Sequence, residues 1–463
     1  MGYDTASFRD RSGRVLLADG AVYRCLSAGA LADWNRLKDT AFFRRMTDDG
    51  RLVGTREADA DKSSRLMPPG DWIGLLEHDV IPFVSYPYEW SFGMLRDAAL
   101  LQLDILLAAL REGLTLKDAS AFNIQWRGAR PVFIDMLSFA PYRKGAPWAG
   151  YRQFCQMFLY PLFLQAYRDV PFHPWTRGAI EGITPEQCRR LLSLRDLLRP
   201  GVFTHVYLQA KLQERCGGAG RDARSDLERV GFDEKLIRAN LRSLRGLVES
   251  LHWRPARSEW SEYGDDHSYA AEDHAAKKAF VEEAAAEKRR TLVWDLGANR
   301  GDFSRLAAEH ADCVLAMDAD HLVVERLYQE LKKDGRDNIL PLVMNVADAS
   351  PGLGWRGAER RSLPERGRPG LVLCLALLHH MVITHNIPLA EFVAWLAELG
   401  GDLVIEFIDK QDPMVRRLLL NKADQYADYE RSCFESCLSR YFTIVRQQAL
   451  SGERRVLYYG RRK

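Results

Sequence analysis

Apolar and polar positions alternate irregularly in the first half of the chain and fall into well-spaced apolar runs in the second. Arg14–Leu17 and Ala21–Leu26 are short β-like runs, and Asp19-Gly20 between them is a hairpin signal. The pattern then predicts a helix from Ala28 to Met46 and an extended run around Leu52–Arg56. Trp72–Trp90 is aromatic and β-branched with Pro82 and Pro87 inside it, which predicts strands or extended connections. From Met94 to Arg111 apolar residues recur at helical spacing, and Gly113 stands just past a C-cap. Strands are expected at Asn123–Trp126 and Pro131–Ile134, around a Gly128 turn. Tyr151 to about Ser250 reads as mainly helical, interrupted by prolines and the Gly217-Gly218-Ala219-Gly220 loop. Between Trp253 and His274 periodicity is lost, and a helix from about Ala275 to Lys288 leads into the second half.

That half begins with Thr291–Leu296, a continuous apolar run carrying Asp295 near its end, as a buried parallel strand should look. Gly297-Ala-Asn-Arg-Gly301 follows, and Phe303–Glu309 is helical in character. Strand, glycine-bearing turn and helix in that order open a doubly wound fold. The next run, Cys313–Met317, ends in Asp318, 23 positions after Asp295, where an acidic residue meets ribose hydroxyls. Ile339–Met344 is a third strand, with Asp348 beyond it where adenine is usually bound. Leu371–Leu377 is a fourth, followed by His379 and His380, and Asp402–Ile408, containing Glu406, is a fifth. Phe442–Gln447 and Arg455–Tyr459 complete the sheet as an antiparallel hairpin. The predicted fold is α/β: a C-terminal Rossmann-like domain (291–463) with a mostly parallel seven-stranded sheet, a linker and leading helix (256–290), and an N-terminal α+β domain (1–255).

The loop chemistry discriminates between nucleosides. A dinucleotide fingerprint is Gly-x-Gly-x-x-Gly, and here Asn299 and Asp302 occupy its second and third glycine positions. Asn tolerates a positive φ, so Asn299 can make the tight turn. Asp302, entering the helix, would repel a pyrophosphate placed at the helix N-terminus. S-adenosylmethionine (SAM) has no phosphate, and its amino and sulfonium groups are cationic. Asp295-x-Gly297-x-Asn299-x-Gly301 therefore favours SAM over NAD.

Composition narrows the class without changing this picture. Over 463 residues, 65 Lys plus Arg stand against 63 Asp plus Glu, a net charge of +2, so no nucleic-acid partner is expected. The arginine-rich stretch Arg356–Arg368 carries Pro364 and reads as a solvated loop. The 8 cysteines form no disulfide framework and no metal-ligand spacing, so no metal is expected and buried thiols in a reducing compartment fit best. No signal-peptide pattern opens the chain, and the most apolar helical run, Phe154–Tyr167, is broken by Pro161 and too short for a bilayer. The expectation is a cytoplasmic protein without a membrane partner, of unspecified oligomeric state.

With these residues in view, the segment Thr291–Lys463 resembles class I SAM-dependent methyltransferases. LKDASAFNIQ, FIDMLSF, WDLGANRGDFS, LALLHHM and LVIEFIDKQDPMV together resemble a bacterial methyltransferase family that includes a rhizobial host-specific nodulation protein, over nearly the whole chain. The resemblance implies SAM as cofactor. Asp295, Gly297, Asn299 and Gly301 would serve its methionine part, Asp318 the ribose and Asp348 the adenine. Many methyltransferases acting on amino nitrogens carry Asn or Asp followed by Pro-Pro after the fourth strand. Here Leu377-Leu378-His379-His380 stand instead, which points to a small-molecule or sugar-like acceptor attacked through oxygen. His379 and His380 are candidate bases at the carboxyl edge, Glu406 is a second candidate, and His385 could line the same edge. Tyr263 and Tyr269 either roof the cofactor pocket or pack between domains.

The first half has a kinase-like signature of its own. Asp118 and Asn123 lie five apart after a long amphipathic helix, and Phe133-Ile134-Asp135 places a second Asp twelve residues beyond Asn123. Kinase-like phosphotransferases use this order for a base and two oxygen ligands of Mg²⁺. Against activity, no glycine-rich phosphate loop precedes it, and Arg24 stands on the strand where a lysine is expected. A degenerate kinase-like fold serving as scaffold is the favoured expectation. Active phosphotransfer is the alternative, as is a non-catalytic SAM-binding interaction protein for the whole chain.

Overall fold

The computed structural model describes residues 2–211, 234–254 and 271–463, apart from 421, 424 and 451. The chain forms two compact units, one of Met1–Trp126, Pro131–Pro255 and Gly352–Arg360, the other of Arg127–Arg130, Ala256–Pro351 and Arg361–Lys463. No helix among the described residues is long and apolar enough to cross a membrane.

The first unit opens with an antiparallel sheet in the order β1-β2-β3-β5-β4. Its strands are β1 (Gly2–Tyr3), β2 (Gly13–Ala18), β3 (Ala21–Leu26), β4 (Thr55–Glu57) and β5 (Gly74–His78). Asp19 and Gly20 both take positive φ, 53° and 75°, as the two-residue turn joining β2 to β3 requires. The helix expected over 28–46 is in fact two, Ala28–Lys38 and Ala41–Asp48. Thr40 divides them, because its hydroxyl caps the second by accepting from the Phe43 amide at 3.3 Å. An 18-residue helix, Phe92–Ala109, is buried on nearly all sides and ends through a short 3-10 turn at Gly113, φ 74°. Beyond it, β6 (Leu114–Leu116) pairs with β9 (Phe139–Pro141), and β7 (Ile124–Arg127) with β8 (Arg130–Phe133).

Part of the arginine-rich stretch departs from the solvated loop expected of it. Arg360 lies 4.0 Å above the Phe122 ring, and Glu359, 4% exposed, holds Arg9 at 2.9 Å. A guanidinium on an aromatic face and a paired carboxylate both tolerate burial, which composition alone does not reveal.

The second unit is built on a seven-stranded sheet: β10 (Arg290–Leu296), β11 (Ala311–Asp318), β12 (Ile339–Val343), β13 (Leu371–Cys374), β14 (Asp402–Ile408), β15 (Phe442–Ala449) and β16 (Arg455–Arg462). Their order is β12-β11-β10-β13-β14-β16-β15, with β10–β14 parallel and β15 and β16 antiparallel. Strand order reverses between β10 and β13, so a crevice opens at their carboxyl ends. β14 is buried at every position, as a parallel strand covered on both faces must be. A helix, Ala271–Ala286, leads into the sheet, starting four residues earlier than expected. β13 ends at Cys374, three residues short of the expected Leu377, because Ala376 turns into a left-handed conformation at φ 51°.

Candidate active site

At the carboxyl end of β10 the chain enters the glycine loop. The amides of Gly297 and Ala298 both donate to the Met317 carbonyl, at 2.8 and 2.9 Å, and stitch the loop to β11. Gly297, Asn299 and Gly301 take φ of 74°, 48° and 78°. Asn299 thus adopts the positive φ expected of it. A Cβ on Gly301 would lie 2.7 Å from Leu327 Cδ1, so helix packing as well as backbone conformation demands glycine there. Asp302, exposed, begins the helix Asp302–Ala308.

Two acidic side chains flank this loop. Asp295 is 2% exposed and accepts from Ser304 Oγ at 2.5 Å. Burial pushes its carboxyl up to about 7, against the Ser304 bond that favours the ionised form. Asp318 accepts from the Asn299 amide through Oδ2 at 3.0 Å and from the Asp320 amide through Oδ1 at 2.9 Å. Burial raises its carboxyl too, with these backbone bonds opposing. Asp348 ends a 3-10 turn, Val346–Asp348, beyond β12 and is exposed.

On the other side of the switch point lies the turn after β13. A Cβ on Gly297 would stand 3.6 Å from Leu377 Cδ1, so this turn faces the glycine loop. His379 is fully buried, neither ring nitrogen has a hydrogen-bond partner among the described residues, and burial holds its pKa well below 6.5. His380 is partly exposed, and burial lowers it to about 4. The two rings are 4.1 Å apart. Glu406, fully buried, accepts from Lys277 Nζ at 2.7 Å and from the Ala376 amide at 2.9 Å. His385 is exposed just past this turn. Tyr263 and Tyr269 lie outside the described residues.

The topology therefore brings Asp295, Gly297, Asn299, Gly301, Asp318 and the turn carrying His379 and His380 to one crevice. Sequence reasoning missed Ser304 and Lys277. A serine in a helix's first turns and one of two adjacent lysines in a mixed helix carry no distinguishing signal.

The first unit holds a second polar cluster. Asn123 Nδ2 donates to Asp118 Oδ1 at 2.9 Å, to Ser138 Oγ at 3.2 Å and to Asp135 Oδ2 at 3.4 Å. Ser138 Oγ lies 2.8 Å from Asp118 Oδ1 and 2.6 Å from Asp135 Oδ2. From β3, Arg24 spans Asp135 at 2.5 Å and Asp10 at 2.6 Å. Burial and the neighbouring Asp135 charge raise Asp118 to about 6. Burial acts to raise Asp135 as well, but the Arg24 guanidinium beside it prevails and holds that carboxyl below its usual range. Among the described residues, no group of three or more His, Cys, Asp or Glu side chains is placed to hold a metal.

A sheet in this order, with a glycine loop after its first strand and an acidic residue closing its second, is that of the class I SAM-dependent methyltransferases. No family model matches the chain. It is 35% identical over 459 residues to nodulation protein NoeA of Rhizobium meliloti (strain 1021), covering 99% of this chain and 95% of that one. The chain belongs to the family of that nodulation protein. Among solved structures it is similar to N-methyltransferase NodS from Bradyrhizobium japonicum WM9, at 13% identity and a TM-score of 0.31 over 43% of this chain and 98% of that one. It is likewise similar to magnesium protoporphyrin IX methyltransferase from Synechocystis PCC 6803 with bound SAH, at 18% identity and a TM-score of 0.31 over 44% of this chain and 95% of that one.

Proposed function

We propose that the chain is a SAM-dependent methyltransferase acting on a hydroxyl oxygen of a small-molecule or sugar-like acceptor. The observation that carries this reading is the charge around the glycine loop. Asp302 at its helix entry repels a pyrophosphate, and Asp295 beneath it is a buried acid whose ionised form a cation would favour. The residues present fit the cofactor: a backbone with no Cβ at Gly297, a buried acid at Asp295 whose ionised form a cationic amino group would favour, and Asp318 with lone pairs to spare for a diol. Gly297, Asn299 and Gly301 would hold the methionine part, Asp318 the ribose and Asp348 the adenine. When bound, SAM supplies an electrophilic methyl carbon on sulfur.

What the chain adds is placement and a proton acceptor. His380 is partly accessible at the carboxyl edge and, though burial weakens it as a base, it is unprotonated at physiological pH, so its ring nitrogen is open to the hydroxyl proton as the acceptor oxygen is alkylated. His379, enclosed beside it, supports the ring. In His380→Asn, kcat is expected to fall about 10²- to 10⁴-fold, the usual worth of general-base catalysis, with S-adenosylhomocysteine (SAH) affinity within about twofold of wild type. Transfer of radiolabelled methyl from SAM into sugar-containing extract, beside calorimetry, measures both. Unchanged kcat would remove His380 from the chemistry. The proposed domains are 1–255, 256–290 and 291–463, in a cytoplasmic protein whose cysteines stay reduced. The cysteines among the described residues are free thiols.

A second reading concerns the first unit, which we take as kinase-like. It is favoured by the meeting of Asp118, Asn123 and Asp135 around Ser138. Arg24 on Asp135 already supplies that carboxylate with a cation, which favours a scaffold over phosphotransfer. Titration with Mg-ATP is expected to give no heat. Binding that Asp135→Ala abolishes would establish a second activity instead.

A further inference from the structure

Ala376 is a residue with a Cβ held at φ 51°, a backbone state that costs an L-residue free energy unless its surroundings impose it. The surroundings here are specific. The Ala376 amide donates to Glu406 Oε2 at 2.9 Å, and the same oxygen accepts from Lys277 Nζ at 2.7 Å. Lys277 and Glu406 are 4% and 0% exposed, so the pair works in a low-dielectric interior where neither charge tolerates loss of the other. Lys277 Nζ also lies 5.2 Å from the centre of the Phe303 ring, on the helix that follows the glycine loop. One ammonium therefore touches the helix on one wall of the crevice and, through Glu406, fixes the turn on the other. That turn presents Leu377 to Gly297.

We infer that Lys277 is a positioning residue which, through Glu406, locks the turn after β13 in its left-handed form and so shapes the cofactor crevice. This rests on the SAM-binding reading above. It also gives Glu406 a role other than proton acceptor, since its Oε2 is engaged by both Lys277 and the Ala376 amide. Without the lock, the turn is free to relax to the right-handed and extended forms that alanine prefers. The binding-competent fraction then falls about tenfold, and apparent affinity falls with it.

The test is calorimetric titration with SAH at about pH 8.5, above the Asp295 titration, and at a temperature where circular dichroism shows each variant folded. Wild type is expected to bind and Lys277→Met to bind about tenfold more weakly. Adding Ala376→Gly to Lys277→Met is expected to restore affinity to within about threefold, because glycine adopts positive φ without the lock. A role in stability alone would not respond to that glycine. Should Lys277→Met not fold, Ala376→Val makes the test with the ion pair in place, again with an expected loss of about tenfold, since a β-branched residue resists positive φ. Unchanged affinity in the folded variant tested, or no recovery with Ala376→Gly, overturns the positioning role while leaving SAM binding intact. No SAH binding by wild type overturns both.

Discussion

Replacing Asp318 by alanine is expected to weaken SAH binding by about a hundredfold. A ribose diol offers two donors to one carboxylate, and each hydrogen bond to a charged acceptor is worth about 1.5–3 kcal/mol. Asp318 is preorganised for the task, because the Asn299 and Asp320 amides fix both of its oxygens. A hundredfold is about 2.7 kcal/mol, just below the roughly 3 kcal/mol at which that sum begins, because some of the gain is offset by desolvating a buried carboxylate. Asp318→Asn keeps one acceptor and is expected to lose about tenfold. Calorimetry on folded variants measures both. Binding within about threefold of wild type in Asp318→Ala would move the ribose elsewhere.

Wild-type affinity for SAH is expected to fall about tenfold from pH 8 to pH 6 through Asp295, whose carboxyl is raised from 3.8 to about 7 by burial. Below that value the unliganded protein carries a neutral Asp295, and if Asp295 holds the methionine ammonium as proposed, binding must first release its proton. Affinity is therefore complete above about pH 7 and declines about tenfold per pH unit below it. The same shift acts with opposite sign on the unliganded fold. Because the folded pKa lies above the unfolded one, the Asp295 contribution to stability is greatest at low pH and is lost as pH rises from about 4 to about 7. His380, lowered to about 4, does not titrate between pH 6 and pH 8. Asp295→Asn is expected to bind more weakly at pH 8 and to show a flat profile from pH 6 to 8. A sloping profile in that variant would assign the proton to another group.

Asp295 and Asp318, on which both predictions turn, are legible in the sequence alone. They stand at or next to the ends of continuous apolar runs, and a parallel strand buried on both faces leaves just such a run in the chain. Gly297, Asn299 and Gly301 announce a left-handed loop by composition. Asp118, Asn123 and Asp135 are legible as spacing, because a short hairpin between them fixes where they meet. Elsewhere the sequence underdetermines the outcome. Leu371–Leu378 is apolar throughout, and no periodicity separates its strand half from the buried turn that follows Cys374. Thr40 is one hydroxyl within an otherwise helical stretch, yet its cap divides the helix. Lys277 and Lys278 are neighbours of identical chemistry, and only packing decides that Lys277 meets Glu406. Ser138 and Ser304 acquire their partners from the turns and helices that carry them, which local pattern does not encode.

Whether this crevice holds SAM and not a dinucleotide is decided by calorimetric titration of the wild-type chain with SAH and, in parallel, NADH. Micromolar SAH binding with release of a proton near pH 6, and no heat from NADH, is the expected result. NADH binding in place of SAH would contradict it, because it would mean that Asp302 at the helix entry does not exclude a pyrophosphate.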